Sequence, residues 1–415
     1  MRSSRLVLAA ALMIGVPVAA KKPEAAAAPA ASATTFDQKN LSKAIRPALA
    51  EEQKLEAAGD LPGALAQLRT AEATGSLNSS DTFFIAQRKL GIATKTKDNA
   101  LLEEAIKGSV SSEFLPATEK PRYLQNLASL TVQRNDYDGA TRIYEQLAAM
   151  SPGNVEVLTN LAVLYSRQKR NPQAIATLRK AIDAGKANGK PVDENLYRTE
   201  LKIAVDSKLA AETQAASMDL IGAYPSPTNW RDVLLLFRDG QKLDDQSNLD
   251  VFRLMAAAGA LNGERDYAEY VETAIARGLP GEAKGVLAEG VQKGMLSSSK
   301  PYIAEYNRTI ATRVGADRAG LAAIDKEARS AATGKTALGQ GDAYFGYGDY
   351  AKAAEMYRLA ATKSGVDPTT VNLRLGAALA RGGDKAGATT ALAGATTGPR
   401  ATLAKYWLAW LDRKA

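Results

Sequence analysis

Apolar and small residues recur along this chain with the period of a helix face, and the whole pattern then recurs at the length of a helix pair. In the stretch 121–154, Leu124, Leu127 and Ala128 line one face of a first segment, and Ala140, Tyr144 and Leu147 line a second. The abutting stretch 155–188 repeats the pattern 34 residues on, as Leu158, Leu161, Ala162, Ala174, Leu178 and Ala181. The match lapses only at its end, where Pro152 meets Lys186. This is the period of an antiparallel helical hairpin. Such a unit cannot bury its apolar face alone and must stack on its neighbours. The pattern therefore predicts an all-α solenoid.

The turns carry their own signature. Gly59-Asp60-Leu61 leads to Ala64, Asn135-Asp136-Tyr137 to Ala140, Gly348-Asp349-Tyr350 to Ala353, and Gly383-Asp384-Lys385 to Ala388. Gly or Asn ends a helix by tolerating a left-handed backbone. The Asp accepts from the first free amides of the next helix. The Ala lets the two helices approach closely.

These residues resemble the tetratricopeptide repeat family. The resemblance implies a right-handed superhelical solenoid of antiparallel helix pairs, with the first helix of each pair lining a concave surface. Starts fall at 45, 83, 121 and 155, and again at 264, 300, 334 and 369, where the steps of 36, 34 and 35 imply a continuous array. The expected organisation is an N-terminal array over 36–223, an irregular helical segment over 224–263, a C-terminal array over 264–398 and a final helix over 399–415. The Tyr224-Pro225-Ser226-Pro227 break and the polar run 240–248 set the middle apart. The last helix carries Tyr406, Trp407 and Trp410 and is expected to cap the array, with a docking surface as the alternative.

Composition narrows the compartment and the chemistry. Arg2 and Arg5 precede an apolar run from Leu6 to Ala20 that ends in small residues, the layout of a secretory signal peptide over 1–20. The Ala- and Pro-rich stretch 21–35 reads as a disordered linker, with a second cleavage site after Ala33 as an alternative. No other stretch is long enough to span a bilayer, and with no Cys there is no lipidation site. The expected location is the periplasm or the exterior, with peripheral envelope association left open. The chain has no His, which removes triad chemistry, and zinc sites lacking both Cys and His are disfavoured. A formal charge of +8, or +6 without Arg2 and Arg5, is a mild bias and not a nucleic-acid signature.

No catalytic or metal site emerges, and no cofactor is implied. Thr333-Gly334-Lys335-Thr336 ends like a phosphate-binding loop, but Arg329 stands where its first Gly belongs. Asp244, Gln246, Asn248 and Asp250 alternate like a calcium loop, but Leu249 and Met255 occupy the required Gly and Glu positions. A cell-wall glycan-cleaving enzyme is a remote alternative, since such enzymes pair a helical superhelix with a catalytic Glu-Ser motif absent from this chain.

Binding is the better expectation. The resemblance places Asn126 and Asn160 at the groove-facing sixth position of their repeats, where an amide can both donate to and accept from a peptide backbone. It aligns Arg122, Gln125, Ser129, Gln133, Glu156, Thr159, Ser166 and Arg167 along the same inner face, and puts Arg374 at the sixth position of a late repeat, with Asp342 and Arg381 nearby. Arg374 would suit an acidic ligand. The expected function is a non-catalytic, protein-binding scaffold of a bacterial envelope that holds an extended segment of a partner. The alternative is a structural subunit of an export or outer-membrane assembly complex, docking by its ends or convex face.

Overall fold

The computed structural model describes residues 34–413 apart from residues 190 and 242. The expected signal peptide and most of the linker lie outside the described residues. The chain divides into two compact units, 1–150 and 151–415. Among the described residues the structure is helical throughout, with no strand longer than an isolated bridge between Thr333 and Ser364.

The first unit holds α1 (Arg46–Ala57), α2 (Leu61–Glu72), α3 (Ser79–Thr96), α4 (Asn99–Val110), α5 (Lys120–Gln133) and α6 (Tyr137–Met150), packed as successive antiparallel pairs. The turn signature acts as its chemistry requires. Asn135 takes a φ of 65°, and Asp136 accepts from the Gly139 amide at 2.8 Å. Ala64 and Ala140, the small residues after the turns, are fully buried. Ile45, Leu68, Ile85 and Ile92 form the core of the first pairs, and Phe83, Ile106, Phe114 and Tyr123 form that of the next.

The second unit holds α7 (Val155–Arg167), α8 (Asn171–Ala187), α9 (Glu194–Asp206), α10 (Ala210–Ala223), α11 (Pro227–Gly240), α12 (Asp245–Ala257), α13 (Gly263–Ala276), α14 (Pro280–Gln292), α15 (Pro301–Ser330), α16 (Lys335–Gly346), α17 (Tyr350–Ala361), α18 (Pro368–Gly382), α19 (Lys385–Ala393) and α20 (Gly398–Asp412). Gly348 and Gly383 end their helices with positive φ, and Asp349 and Asp384 cap the helices that follow. One expectation fails. The repeat starting at 300 is not a helix pair but the single 30-residue helix α15. Asp317, which could have capped a second helix after Gly315, instead accepts from the Tyr347 hydroxyl at 2.6 Å. Lys363 closes the far end, donating to the carbonyls of Ala328 and Arg329 at 2.9 and 2.8 Å.

The segment 224–263 forms ordinary helices, and its second helix lies at the centre of the unit. Every residue of α12 from Leu249 to Met255 is buried. Helices α11, α13, α18 and α20 all pack on it. The last helix returns to this centre across more than a hundred residues of sequence. Trp410 donates from its indole to the Ala257 carbonyl at 3.0 Å, and the Tyr406 ring meets the Phe237 ring edge-on at 5.9 Å. Trp407 and Trp410 are buried, so α20 is a covering helix and its indoles form no docking surface. An open solenoid is held by neighbour contacts alone; this unit is closed by contacts between its middle and its end. Trp410→Ala should therefore destabilise the protein by about 3–5 kcal/mol, measured by chemical denaturation, because it empties a buried site and orphans a carbonyl.

Candidate functional site

The predicted inner-face residues divide into an open set and a filled set. On α5, Tyr123, Leu124, Leu127, Ala128 and Thr131 face the core. Arg122, Asn126, Ser129 and Gln133 are exposed and Gln125 is half-buried, three or four residues apart along one face. Arg122 pairs with Glu119 at 2.5 Å and lies over the Tyr123 ring. In the second unit, α7 buries Val157, Leu158, Leu161 and Ala162. It leaves Thr159, Asn160 and Ser166 half-buried and Glu156 and Arg167 exposed. Each helix thus presents a polar row on an apolar backing. The two rows belong to different units.

Arg374 is a correction. It does not face solvent: it is 2% exposed, and α18 is buried from Thr369 to Ala380 with Asn372 and Leu375 half-covered. Helix α12 covers it. The guanidinium of Arg374 donates to Asp250 on α12 at 2.9 Å and to Asp342 on α16 at 2.7 Å. Asp342 also accepts from Arg253 on α12 at 2.9 Å and from the Tyr357 hydroxyl at 2.7 Å. Arg253 forks onto Glu282 of α14 at 2.8 and 2.7 Å, and Arg400 of α20 reaches Asp250 at 2.9 Å. Three arginines and three carboxylates thus alternate through the interior and balance. The acidic ligand that Arg374 suits is supplied by the chain itself.

Electrostatics follow from this burial. Desolvation pushes the Asp342 carboxyl up, but the Arg374 and Arg253 guanidiniums outweigh it and hold the group below its ordinary range. Desolvation works against the charge on Arg374, yet Asp250 and Asp342 raise its pKa further above an already high value. Burial, then the neighbouring Asp342, pushes the Tyr357 hydroxyl well up, so it serves only as a donor here. Sequence reasoning missed Arg253, Glu282 and Arg400, and met Asp250 only in an incomplete calcium-loop pattern. The only signal was the pair of charges Asp250 and Arg253, one helical turn apart inside an apolar helix. Among the described residues, no group of His, Cys, Asp or Glu fits a metal ion, and no helix is long and apolar enough to cross a membrane.

With the helix pairs and capped turns in place, two stretches, 132–189 and 338–401, match the tetratricopeptide repeat family. These two stretches carry tetratricopeptide repeats. Such repeats support a scaffold of the protein-interaction class. No curated protein matches it significantly. Among solved structures, MamA AMB-1 is similar at 17% identity, over 41% of this chain and 87% of that one, with a TM-score of 0.28. PilF of Pseudomonas aeruginosa is similar at 14% identity, over 44% and 77%, with a TM-score of 0.25. A tetratricopeptide repeat protein from Parabacteroides merdae is similar at 13% identity, over 81% and 100%, with a TM-score of 0.23.

Removing Arg374 would leave two buried carboxylates short of a partner. Arg374→Ala should cost about 3–5 kcal/mol by chemical denaturation, whereas Asn126→Ala, on an exposed face, should stay within about 0.5 kcal/mol of the parent. The depressed Asp342 pKa also sets a pH dependence. A carboxyl with a lowered folded-state pKa contributes stability above its unfolded value, about 4, and loses it as pH falls through the lower folded value. The parent's own stability, measured by chemical denaturation across pH, should therefore hold this contribution at pH 7 and lose it progressively as the pH drops below about 4.

Proposed function

We propose that the protein is a non-catalytic scaffold that holds extended segments of partner protein along the polar faces of its earlier repeats, on α5 of the first unit and, separately, on α7 of the second. The observation that carries this is the contrast between equivalent positions. Asn126 is exposed and Asn160 half-buried, each among polar neighbours, whereas Arg374 is enclosed by α12. An amide matches both halves of a peptide unit, and a row of Arg, Gln, Asn and Ser side chains offers mostly hydrogen bonds to a main chain. Such a surface suits a partner bound through its backbone.

The apolar run at the N-terminus supports export, so the scaffold acts in the periplasm or outside the cell. Association with the envelope surface, through partners and not a spanning helix, is part of the same reading.

A photo-crosslinking residue at Ser129 should capture a partner in cells, and one at Ala304, on exposed α15, should not. Asn126→Ala combined with Asn160→Ala should reduce capture several-fold with an unchanged melting temperature. Equal capture from both positions, or capture indifferent to the double substitution, would remove the groove reading. Fractionation of the same cells should place the protein outside the cytoplasm; cytoplasmic recovery of the full chain would contradict export.

A further inference from the structure

A second surface in the second unit plays no part in that reading. Helices α12, α13, α14 and α18 and the turn between α16 and α17 line an open cavity of about 280 Å³. Its walls are aromatic: Tyr270, Phe345, Tyr347 and Tyr350. The Phe345 and Tyr350 rings meet edge-on at 5.2 Å, and Arg253 stacks over Phe345 at 4.4 Å. Gly285 borders the cavity from α14, and a Cβ built there meets no heavy atom within 4 Å.

The charges around this cavity do not cancel. Arg253 and Glu282 neutralise each other, with Tyr270 donating to Glu282 at 2.7 Å. Glu289 pairs with Lys293 at 2.6 Å. Arg381, exposed in the last turn of α18, has no carboxylate within 4.0 Å among the described residues. It donates to the Tyr350 hydroxyl at 2.8 Å and sits 5.2 Å from that ring's centroid. Aromatic walls with one unneutralised guanidinium at the rim make a small-ligand site whose orientation is fixed by a single polar anchor.

We propose that this cavity binds a flat apolar group carrying a carboxylate, with the ring among Phe345, Tyr347 and Tyr350 and the carboxylate forked by Arg381. A guanidinium with unused donors takes a carboxylate in bidentate fashion, and this one already stands beside the Tyr350 ring. An amine would meet Arg381 head-on, while both lining carboxylates are already paired. Two sources share the favoured chemistry: a free aryl acid, and the C-terminal aromatic residue of a protein chain.

Calorimetric titration of the full-length protein tests this with 3-phenylpropionate, a short peptide ending in Phe with a free carboxylate, the same peptide amidated, and phenethylamine. The two carboxylates should bind saturably, and the amidated peptide and the amine should not. Arg381→Gln should weaken binding by roughly tenfold or more. Gly285→Leu, which fills the cavity from a position with room for the side chain, should abolish it with the melting temperature retained. A free-acid peptide that binds far more tightly than 3-phenylpropionate identifies a protein C-terminus as the source; comparable affinities identify a free aryl acid. The proposal is overturned if neither carboxylate binds the parent protein, if binding survives both substitutions, or if phenethylamine is preferred. These outcomes are independent of capture at Ser129.

Discussion

The alternation of charge through Glu282, Arg253, Asp342, Arg374, Asp250 and Arg400 is the constraint on which the second unit depends. These residues come from α12, α14, α16, α18 and α20, which are distant in sequence and meet around one buried helix. A buried ion-pair chain adds little net stability over a well-packed apolar seam, since desolvation offsets most of the Coulomb gain. Its stronger effect is on register. Sliding α12 by one turn would separate Arg253 from Glu282 and Asp250 from Arg374, leaving charges unpaired in the interior at several kcal/mol each. The apolar residues between them, Val251, Phe252, Leu254 and Met255, supply the burial, and the charges decide where that burial is permitted.

This constraint sorts repeats of similar sequence into two kinds. Of the positions equivalent by spacing, Asn126 on α5 is exposed, Asn160 on α7 is half-buried, and Arg374 on α18 faces a helix of the same chain. A repeat pattern therefore does not by itself locate a binding face; the face must also be unfilled. The closure by α20 belongs to the same arrangement. Trp407, Trp410 and Arg400 cover the helix that would otherwise end the stack exposed, and they do so by reaching the middle of the chain and not only the preceding repeat.

Much of the fold was legible in the sequence because its turns are local. Gly or Asn, then Asp, then Ala four residues later is a complete instruction for ending one helix, capping the next and packing the two closely. The polar row on α5 was equally legible, since the 3.6-residue period separates Asn126 from Leu127 whatever surrounds them. Helix α12 was not. Periodicity reports one-sided burial, and α12 is buried all round from Leu249 to Met255, charges included. The partners lie at separations of up to 150 residues, which no local pattern encodes. Arg374 was misplaced for the same reason: its spacing was right, and the helix covering it was invisible. The fused helix α15 was hidden by a period that matched in length while lacking the Gly-Asp turn.

Hydrogen exchange of the full-length protein tests the filled face most directly. If α12 is the permanent occupant of the C-terminal repeats, the amides of 249–255 exchange as slowly as those of 371–380 on α18, and both are released in one opening event. If 249–255 exchange like an exposed helix while α16 and α18 stay protected, the face is open and the division between filled and open repeats is wrong.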